Sequence, residues 1–337
     1  MTVIVRPARS EDLQPLYEMA KLTGGGFTNL PADRDALAAK LELSLAAFAS
    51  EAAQPEERIY LLVLENRATG RIGGTAQLFA AIGQSAPFYS YRIGTLSQAS
   101  RELGRTFRAE MLTLTTDLEG SSEVGGLFLH PSERAGGLGL LLARSRYLFI
   151  RDHRAGFADR VIAELRGVID EAGGSPFWDG LAGKFFGMGF QEADAFNAVH
   201  GHQFIADLMP KHPIYTAMLP DSARHAIGLP HPGGRAAMRM LQDEGFSHQG
   251  YIDIFDGGPT LSVATDQLRS IAAARAGVIG AIAGGGVHSL VATGRLAAFR
   301  AAYGFVATRE DGSIALDPDA AALLEVRVGD RIVHVPR

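Results

Sequence analysis

Cysteine is absent from this chain of 337 residues. Without a thiol there is no disulfide framework, no thiolate zinc site and no cysteine nucleophile, so acyl transfer through an enzyme-bound cysteine thioester is excluded. Long apolar runs are missing as well. No uninterrupted run reaches the roughly 18 residues of a membrane span, and the opening MTVIVRPARSED lacks a signal-peptide layout. A cytoplasmic protein with no membrane partner is expected. Nor is there a surplus of positive charge. The net charge is −5, the pI is near 6.1, and Lys and Arg are scattered, which argues against a nucleic-acid partner. What remains is an ordinary globular composition, 47% hydrophobic and 20% charged. At roughly 100–200 residues per domain, two domains are the default.

The most informative stretch runs from Glu123 to Ile150. Val124 to Leu129 are apolar and short, like a buried strand. His130 to Gly139 form a glycine-rich turn with one Arg, and Leu140 to Ile150 repeat apolar residues at helical spacing. A strand that turns through glycines into a helix leaves backbone N–H groups unpaired at the positive end of the helix dipole, which makes an anion site. The plainer alternative is a turn that only lets the helix pack closely on its strand. Two other phosphate loops fit less well. No Gly-Lys-Ser/Thr follows, and Leu142 stands where a dinucleotide fingerprint needs its third glycine.

Along the chain, Val3 to Pro7 reads as a strand, with Ser10 as N-cap of a helix over Asp12 to Lys21. Thr23 to Pro31 (TGGGFTNLP) is a loop, and Asp33 to Ala52 an amphipathic helix with Leu37, Leu41, Leu45 and Phe48 on one face. Ile59 to Leu64 and Ile72 to Phe79 form a hairpin. Residues 80 to 121 are irregular, either a functional loop or an extra ribbon. Arg160 to Val168 is a strand that leads into a helix over Phe177 to Phe186, closed by Gly189-Phe190; a second helix, Arg235 to Glu244, closes at Gly245-Phe246 before a strand at Tyr251 to Phe255. From about Arg269 an Ala/Gly-rich passage gives way to short β segments (Val287 to Thr293, Phe305 to Thr308, Arg327 to Val335) with Asp/Gly turns, as in a small β-barrel.

Arg134, Gly137 and Gly139 fit Arg/Gln-x-x-Gly-x-Gly/Ala, and the turn resembles the pyrophosphate turn of GNAT-type acyl-CoA N-acyltransferases. Longer words narrow the resemblance: GGTAQLFAAIG, AELRGVIDEAGGSPFW, FIADLMPKHPIY, IGLPHPGGRAAMRMLQDEGF and YIDIFDGGPTL, with TGGGFTNLP near the start. Together they closely resemble the arginine N-succinyltransferase family, to about residue 268 and more weakly beyond it. The resemblance implies an α+β, GNAT-like fold with a mixed central sheet flanked by helices, extended or partly duplicated, plus a small C-terminal β-barrel. Residues 1–270 would form the acyltransferase domain, with related halves at about 1–190 and 191–270, and residues 271–337 the barrel. It also implies a reaction, transfer of succinyl from succinyl-CoA to the α-amine of L-arginine, the first step of arginine catabolism by succinyl transfer. No metal is expected. The chain would act as a homo-oligomer or beside a related chain in an arginine/ornithine succinyltransferase; a non-catalytic acyl-CoA-binding module is the alternative of another class.

The chemistry needs a neutral attacking amine, donors for a tetrahedral oxyanion and a proton for the departing thiolate. Histidine suits the proton transfers. The resemblance gives the catalytic proton donor's role to His231, fixed between Pro230 and Pro232. His212 is its rival, and the pair His200 and His202 has the spacing of metal ligands on a strand but no third partner. On the cofactor side, Leu127, Phe128 and Leu129 would pair with pantetheine, while Arg134, Gly136, Gly137 and Gly139 face the phosphates. The guanidinium of arginine calls for carboxylates. Asp253 and Asp256 are the leading candidates, with Glu164 and Asp170 behind them, and Arg166 or Arg92 would take the succinyl carboxylate.

Overall fold

The computed structural model describes residues 2–22, 29–134, 136–200 and 203–337, with side chains at all of these except 195 and 197–200. The expected Thr23–Pro31 loop lies outside the described residues from 23 to 28. So do His202 and the side chain of His200.

The chain opens with β1 (Val3–Pro7), a short 3-10 turn and α1 (Leu13–Lys21). Ser10 does not cap this helix but opens the 3-10 turn before it. Asp12, at the end of that turn, accepts the Arg9 N–H (2.8 Å) while its carboxylate holds the buried Arg6 guanidinium (2.6 and 3.0 Å), which also meets Glu65. The Arg-Pro-Ala opening with its later Asp is thus one buried ion network. Helix α2 (Arg34–Ala49) starts where Asp33 accepts the Ala36 N–H (2.8 Å). Strands β2 (Ile59–Asn66) and β3 (Arg71–Phe79) form the expected hairpin. Residues 80–121 hold an extra ribbon, β4 (Ser90–Ser100) and β5 (Arg105–Thr115), paired from Ser90↔Thr115 to Ser100↔Arg105. Then come β6 (Ser122–Leu129), α3 (Leu138–Asp152) and β7 (Arg160–Glu164).

The single helix expected over Phe177–Phe186 is instead two short ones, α4 (Pro176–Gly180) and α5 (Gly183–Phe186), broken at Leu181. Gly187, at φ +64°, is its C-cap, and Phe190 opens the next helix, α6 (Phe190–His200), rather than a strand. The later Gly245-Phe246 does lead into a strand, so the two Gly-Phe pairs close different kinds of unit. Next are α7 (Gln203–Leu208), β8 (Ile214–Tyr215), α8 (Asp221–Ala226), α9 (Arg235–Asp243), β9 (Ser247–Asp253) and β10 (Pro259–Ala264). The Ala/Gly-rich passage holds α10 (Arg269–Ala273) and β11 (Arg275–Ile282), followed by β12 (Val287–Thr293), β13 (Arg300–Thr308), β14 (Ile314–Leu316), α11 (Pro318–Leu324) and β15 (Arg331–Pro336).

Two compact units result. The first contains residues up to Ala81, Ser121–Val161 and Ala264–Arg337. Its strands β1, β2, β3 and β6 are antiparallel neighbours. Helices α1 and α2 cover one face through Leu16, Leu37 and Leu41 against Leu61, Val63 and Ile72. Helix α3 lies on the other face, where Leu142 comes against Gly74. It is buried almost all round from Leu141 to Ile150. Five strands, in the order β12-β15-β11-β14-β13 with β13 returning to β12, close a barrel around Ile279, Val291, Leu316 and Ile332. Closure removes the free edges that short strands would otherwise expose. Strand β1 pairs with barrel strand β13 at Val5↔Ala301. The fold is therefore α+β and GNAT-like, with a small C-terminal β-barrel.

The second unit contains Ile82–Gly120 and Ile162–Val263. Strand β4 pairs with β9, β9 with β10, and β5 with β8. The core is aromatic: Trp178 meets Phe255 at 4.8 Å between ring centroids, Phe190 meets Phe255 at 4.8 Å, and Tyr91 meets Phe177 at 6.2 Å. Among the described residues of the chain, no helix is long and apolar enough to cross a membrane.

Candidate active site

In the first unit the site begins at an irregularity of β6. Thr75 lies opposite Phe128 and Gln77 opposite Gly125, so Ala76 faces both Gly126 and Leu127. This is a β-bulge, and it takes two residues of β6 partly out of the ladder. Gly126 sits at φ +57°, and a Cβ there would come within 2.7 Å of the Gln77 side chain. Glycine is needed for both reasons. Gln77 is held by donating Nε2 to the Asn29 carbonyl (2.6 Å). The same carbonyl accepts from Lys40 Nζ (2.7 Å), whose pKa burial pushes down to about 8.

After Leu129, the His130 ring accepts the Ser132 N–H (3.2 Å) and caps a 3-10 turn that has Pro131 at its start. Arg134 donates Nε to the Leu129 carbonyl (3.1 Å) and remains exposed. Gly136 and Gly137 adopt φ +64° and +80°. Gly137 is the N-cap of α3 and has no side chain to cap it. The first N–H groups of a 15-residue helix therefore lack intrahelical acceptors at the positive end of its dipole. A Cβ at Gly136 would meet nothing within 4 Å, and one at Gly139 only Leu129 Cδ2 at 3.8 Å. Among the described residues, then, nothing crowds the turn at Gly136 or Gly139, as an anion site requires. Two groups that the sequence did not point to complete it. Tyr303 donates its hydroxyl to the Gly137 carbonyl (3.3 Å), and Arg337 donates Nη2 to the Gly136 carbonyl (3.2 Å). Gly73 and Gly74 in the GGTAQLF word serve packing: a Cβ at Gly73 would lie 2.8 Å from Glu133 Cγ, and one at Gly74 2.8 Å from the Phe128 carbonyl oxygen.

The second unit brings His231, Arg166, Asp253 and Asp256 onto connected loops. His231 donates its backbone N–H to the Arg166 carbonyl (2.8 Å). Its ring accepts the Gly233 N–H at Nδ1 (3.1 Å), which leaves the proton of the neutral imidazole on Nε2. Desolvation, with the nearby Arg166 charge, holds the His231 pKa below its usual value. The capping geometry matches that of His130-Pro131, and His130 too has an arginine beside it (Arg71 Nη2 to Nδ1, 3.1 Å), so neither the cap nor a cationic neighbour by itself sets His231 apart. Arg166 itself is half-buried, and among the described residues its buried Nε has no hydrogen-bond partner.

The two aspartates are engaged by backbone. Asp253 Oδ1 accepts the N–H groups of Phe255 (2.7 Å) and Asp256 (2.8 Å). Asp256 accepts from Gly167 at Oδ2 (2.7 Å) and from Gly258 at Oδ1 (2.8 Å). Burial, reinforced by the Asp253 charge, pushes its pKa up to about 8. Side chains at Gly167 or Gly258 would collide with Asp256, so these glycines permit the close approach. The lesser candidates are placed elsewhere. Asp170 accepts the Gly174 N–H (2.8 Å), Glu164 accepts from Thr260 (3.3 Å), and Arg92 faces Asp117 (3.5 Å). His212, the rival of His231, is exposed. Among the described residues no group of three His, Asp or Glu side chains could hold a metal ion.

A bulged strand, a glycine turn and an uncapped helix, on an antiparallel sheet flanked by helices, define an acyltransferase that takes an acyl-CoA co-substrate. A family model described as "Arginine N-succinyltransferase beta subunit" matches residues 3–270, and one described as its C-terminal domain matches 256–336. The chain is 46% identical over 270 residues to the arginine N-succinyltransferase subunit beta of Pseudomonas aeruginosa, covering 80% of this chain and 79% of that one. It is 44% identical over 272 residues to the arginine N-succinyltransferase of Salmonella paratyphi B, covering 81% and 79%. A solved structure, arginine/ornithine succinyltransferase subunit AI from Pseudomonas aeruginosa, superposes with a TM-score of 0.90 at 34% identity, over 99% of this chain and 98% of that one. The chain belongs to the arginine N-succinyltransferase family, enzymes that transfer a succinyl group to arginine.

Proposed function

We propose that this enzyme moves the succinyl group of succinyl-CoA directly onto the α-amine of L-arginine, giving N2-succinyl-L-arginine and free CoA. The observation that supports this best is the open glycine turn at the uncapped start of α3, in a chain that matches the family over residues 3–270. The neutral amine attacks the thioester carbonyl, the tetrahedral oxyanion collapses, and the C–S bond breaks. The nitrogen gives up a proton and the leaving thiolate gains one. With no cysteine in the chain, no thioester to the enzyme's own sulfur intervenes.

In this reading the bulged Leu127–Leu129 segment supplies backbone partners for pantetheine, and Arg134 with Gly136, Gly137 and Gly139 receives the diphosphate. His231 acts through Nε2–H, the ring atom left free by its Nδ1 contact, as a donor toward the oxyanion and the departing sulfur. A neutral imidazole with its proton there cannot also be the base that deprotonates the amine, so the amine must arrive neutral or lose its proton to solvent. Arg166, half-buried and with its Nε lacking a hydrogen-bond partner among the described residues, takes the succinyl carboxylate. Asp256 holds the Arg166–Gly167 loop in place through the Gly167 N–H and so positions that guanidinium, while Asp253 holds the turn that carries Asp256; the notion that they grip the substrate guanidinium directly gives way to this, because three of their oxygens already accept backbone N–H groups.

The test is thiol release from succinyl-CoA by the purified chain alone, with arginine and ornithine offered separately and the mass measured in solution. Release with arginine is expected. No release above background with either amine would overturn the substrate assignment, and release only after a related chain is added would identify one subunit of a two-chain enzyme. Stabilisation by CoA with no turnover on any amine would favour a binding module.

A further inference from the structure

We infer that Arg337, brought in by the last strand of the barrel, is a ligand of the coenzyme A diphosphate. This rests on the reading that the Arg134–Gly139 turn takes those phosphates. Strand β15 is anchored next to the turn from two sides. Arg144 of α3 donates Nη1 to the Pro336 carbonyl (3.0 Å), and the Arg337 N–H donates to the His288 carbonyl (3.0 Å). The Arg337 guanidinium then lies over the Tyr303 ring, 4.8 Å from its centroid, with Nη2 on the Gly136 carbonyl. Tyr303 is itself tied to Gly137. Ring and carbonyl fix the guanidinium plane at the turn, and the side chain stays exposed.

The arrangement has the chemistry of a phosphate clamp. A guanidinium carries five donors in a planar fork, and the Gly136 carbonyl uses one of them. Arg134 stands exposed in the same turn, and the single acid of that turn, Glu133, faces Arg71 (3.6 Å). The turn therefore offers two guanidinium groups and the positive end of α3, while its one acid is paired with an arginine. Gly137 has no side chain where the Arg337 guanidinium passes, since a Cβ there would collide with Nη2. An arginine that served only to staple the strand end would be expected to find a carboxylate or a bidentate acceptor. This one meets the Gly136 carbonyl and the Tyr303 side chain.

The experiment is calorimetric titration of the full chain and of Arg337→Ala and Arg337→Lys with CoA, 3′-dephospho-CoA and pantetheine, alongside melting curves without ligand. Arg337→Ala should weaken CoA and 3′-dephospho-CoA alike, by roughly tenfold for one charge-assisted contact. It should leave pantetheine, which has no diphosphate, unaffected. Lysine should recover part of the loss, because it keeps the charge without the fork. Unchanged CoA affinity in the alanine variant would overturn the inference. So would an equal loss for all three ligands with a lowered Tm, the mark of a purely structural tie, and so would a loss confined to CoA, which would move the contact to the 3′-phosphate. Wild-type protein that binds CoA no better than pantetheine would instead remove the phosphate turn itself, a failure seen without any variant.

Discussion

Three glycines of one turn should respond differently to the same added methyl group. Gly136 is at φ +64° with open space around it, so Gly136→Ala carries only the cost of a left-handed backbone, about 1–2 kcal/mol. Gly137 is at φ +80°, and its Cβ would sit 3.0 Å from Arg337 Cζ and closer still to Nη2. Gly137→Ala therefore adds a steric term of about 1–3 kcal/mol to the same backbone cost. Gly139 lies in the first turn of α3, and its Cβ would meet Leu129 Cδ2 at an ordinary 3.8 Å. There alanine should stabilise, by up to about 0.5–1 kcal/mol through lower unfolded-state entropy. Melting should follow the order Gly139→Ala at or above wild type, then Gly136→Ala, then Gly137→Ala, with each kcal/mol worth roughly 2–4 °C for a unit of this size. The double variant Gly137→Ala/Arg337→Ala should regain the steric part and keep the backbone part. If Gly137→Ala melts no lower than Gly136→Ala, or if removing Arg337 recovers nothing, the placement of Arg337 on the turn is wrong.

Three further outcomes are expected. Arg6→Met strips the partner from buried Asp12 and leaves it beside Glu65, and should cost about 3–5 kcal/mol in urea unfolding; a loss under about 1 kcal/mol would show that the network is solvated. His231→Ala should keep CoA affinity and lose turnover by roughly 10²–10⁴-fold, and full turnover would remove His231 from the reaction. The His231 ring, held below its usual pKa by burial and by the Arg166 charge, should titrate higher in Arg166→Met when followed by NMR; an unmoved titration would separate the two residues. For Asp256, with a folded pKa of about 8 against 3.8, the folded state keeps a proton that the unfolded state has lost, so stability falls as pH rises from about 4 to about 8. Asp256→Asn should flatten that slope in unfolding measured at pH 5 and pH 8, although the variant loses one acceptor for a glycine N–H.

Much of the first unit was legible because its determinants are local. The apolar run into a glycine turn and then a helical repeat marks β6 and α3, and Asp33 marks the start of α2. Strands β4 and β5 were hidden because they are exposed on both faces through much of their length, as at Thr95–Gln98 and Arg105–Arg108, so no alternation of apolar and polar residues survives. Strand β11 was hidden for a related reason, since its Ala and Gly carry little pattern. At the site, Asp253 and Asp256 drew notice as acids. What they hold could not be read, because the Gly167 N–H that Asp256 accepts is 89 positions away. Arg337 and Tyr303 gave no hint at all, since nothing local to them suggests a nucleotide.

The pairing of β1 with β13 also sets a schedule for synthesis. The partner of Val5 is Ala301. At roughly 5–20 residues per second, the first strand waits about 15–60 s on the ribosome before its barrel-side neighbour is made. Helix α3 waits too, since Ser270 and Pro336, which receive the Arg144 guanidinium, are translated long after it. Residues Ile82–Gly120 and Ile162–Val263 meet only one another within their unit and are all made before the barrel. The unit that carries the glycine turn is therefore the later of the two to be completed, and a chaperone that shields an unpaired strand edge should bind the nascent chain at β1.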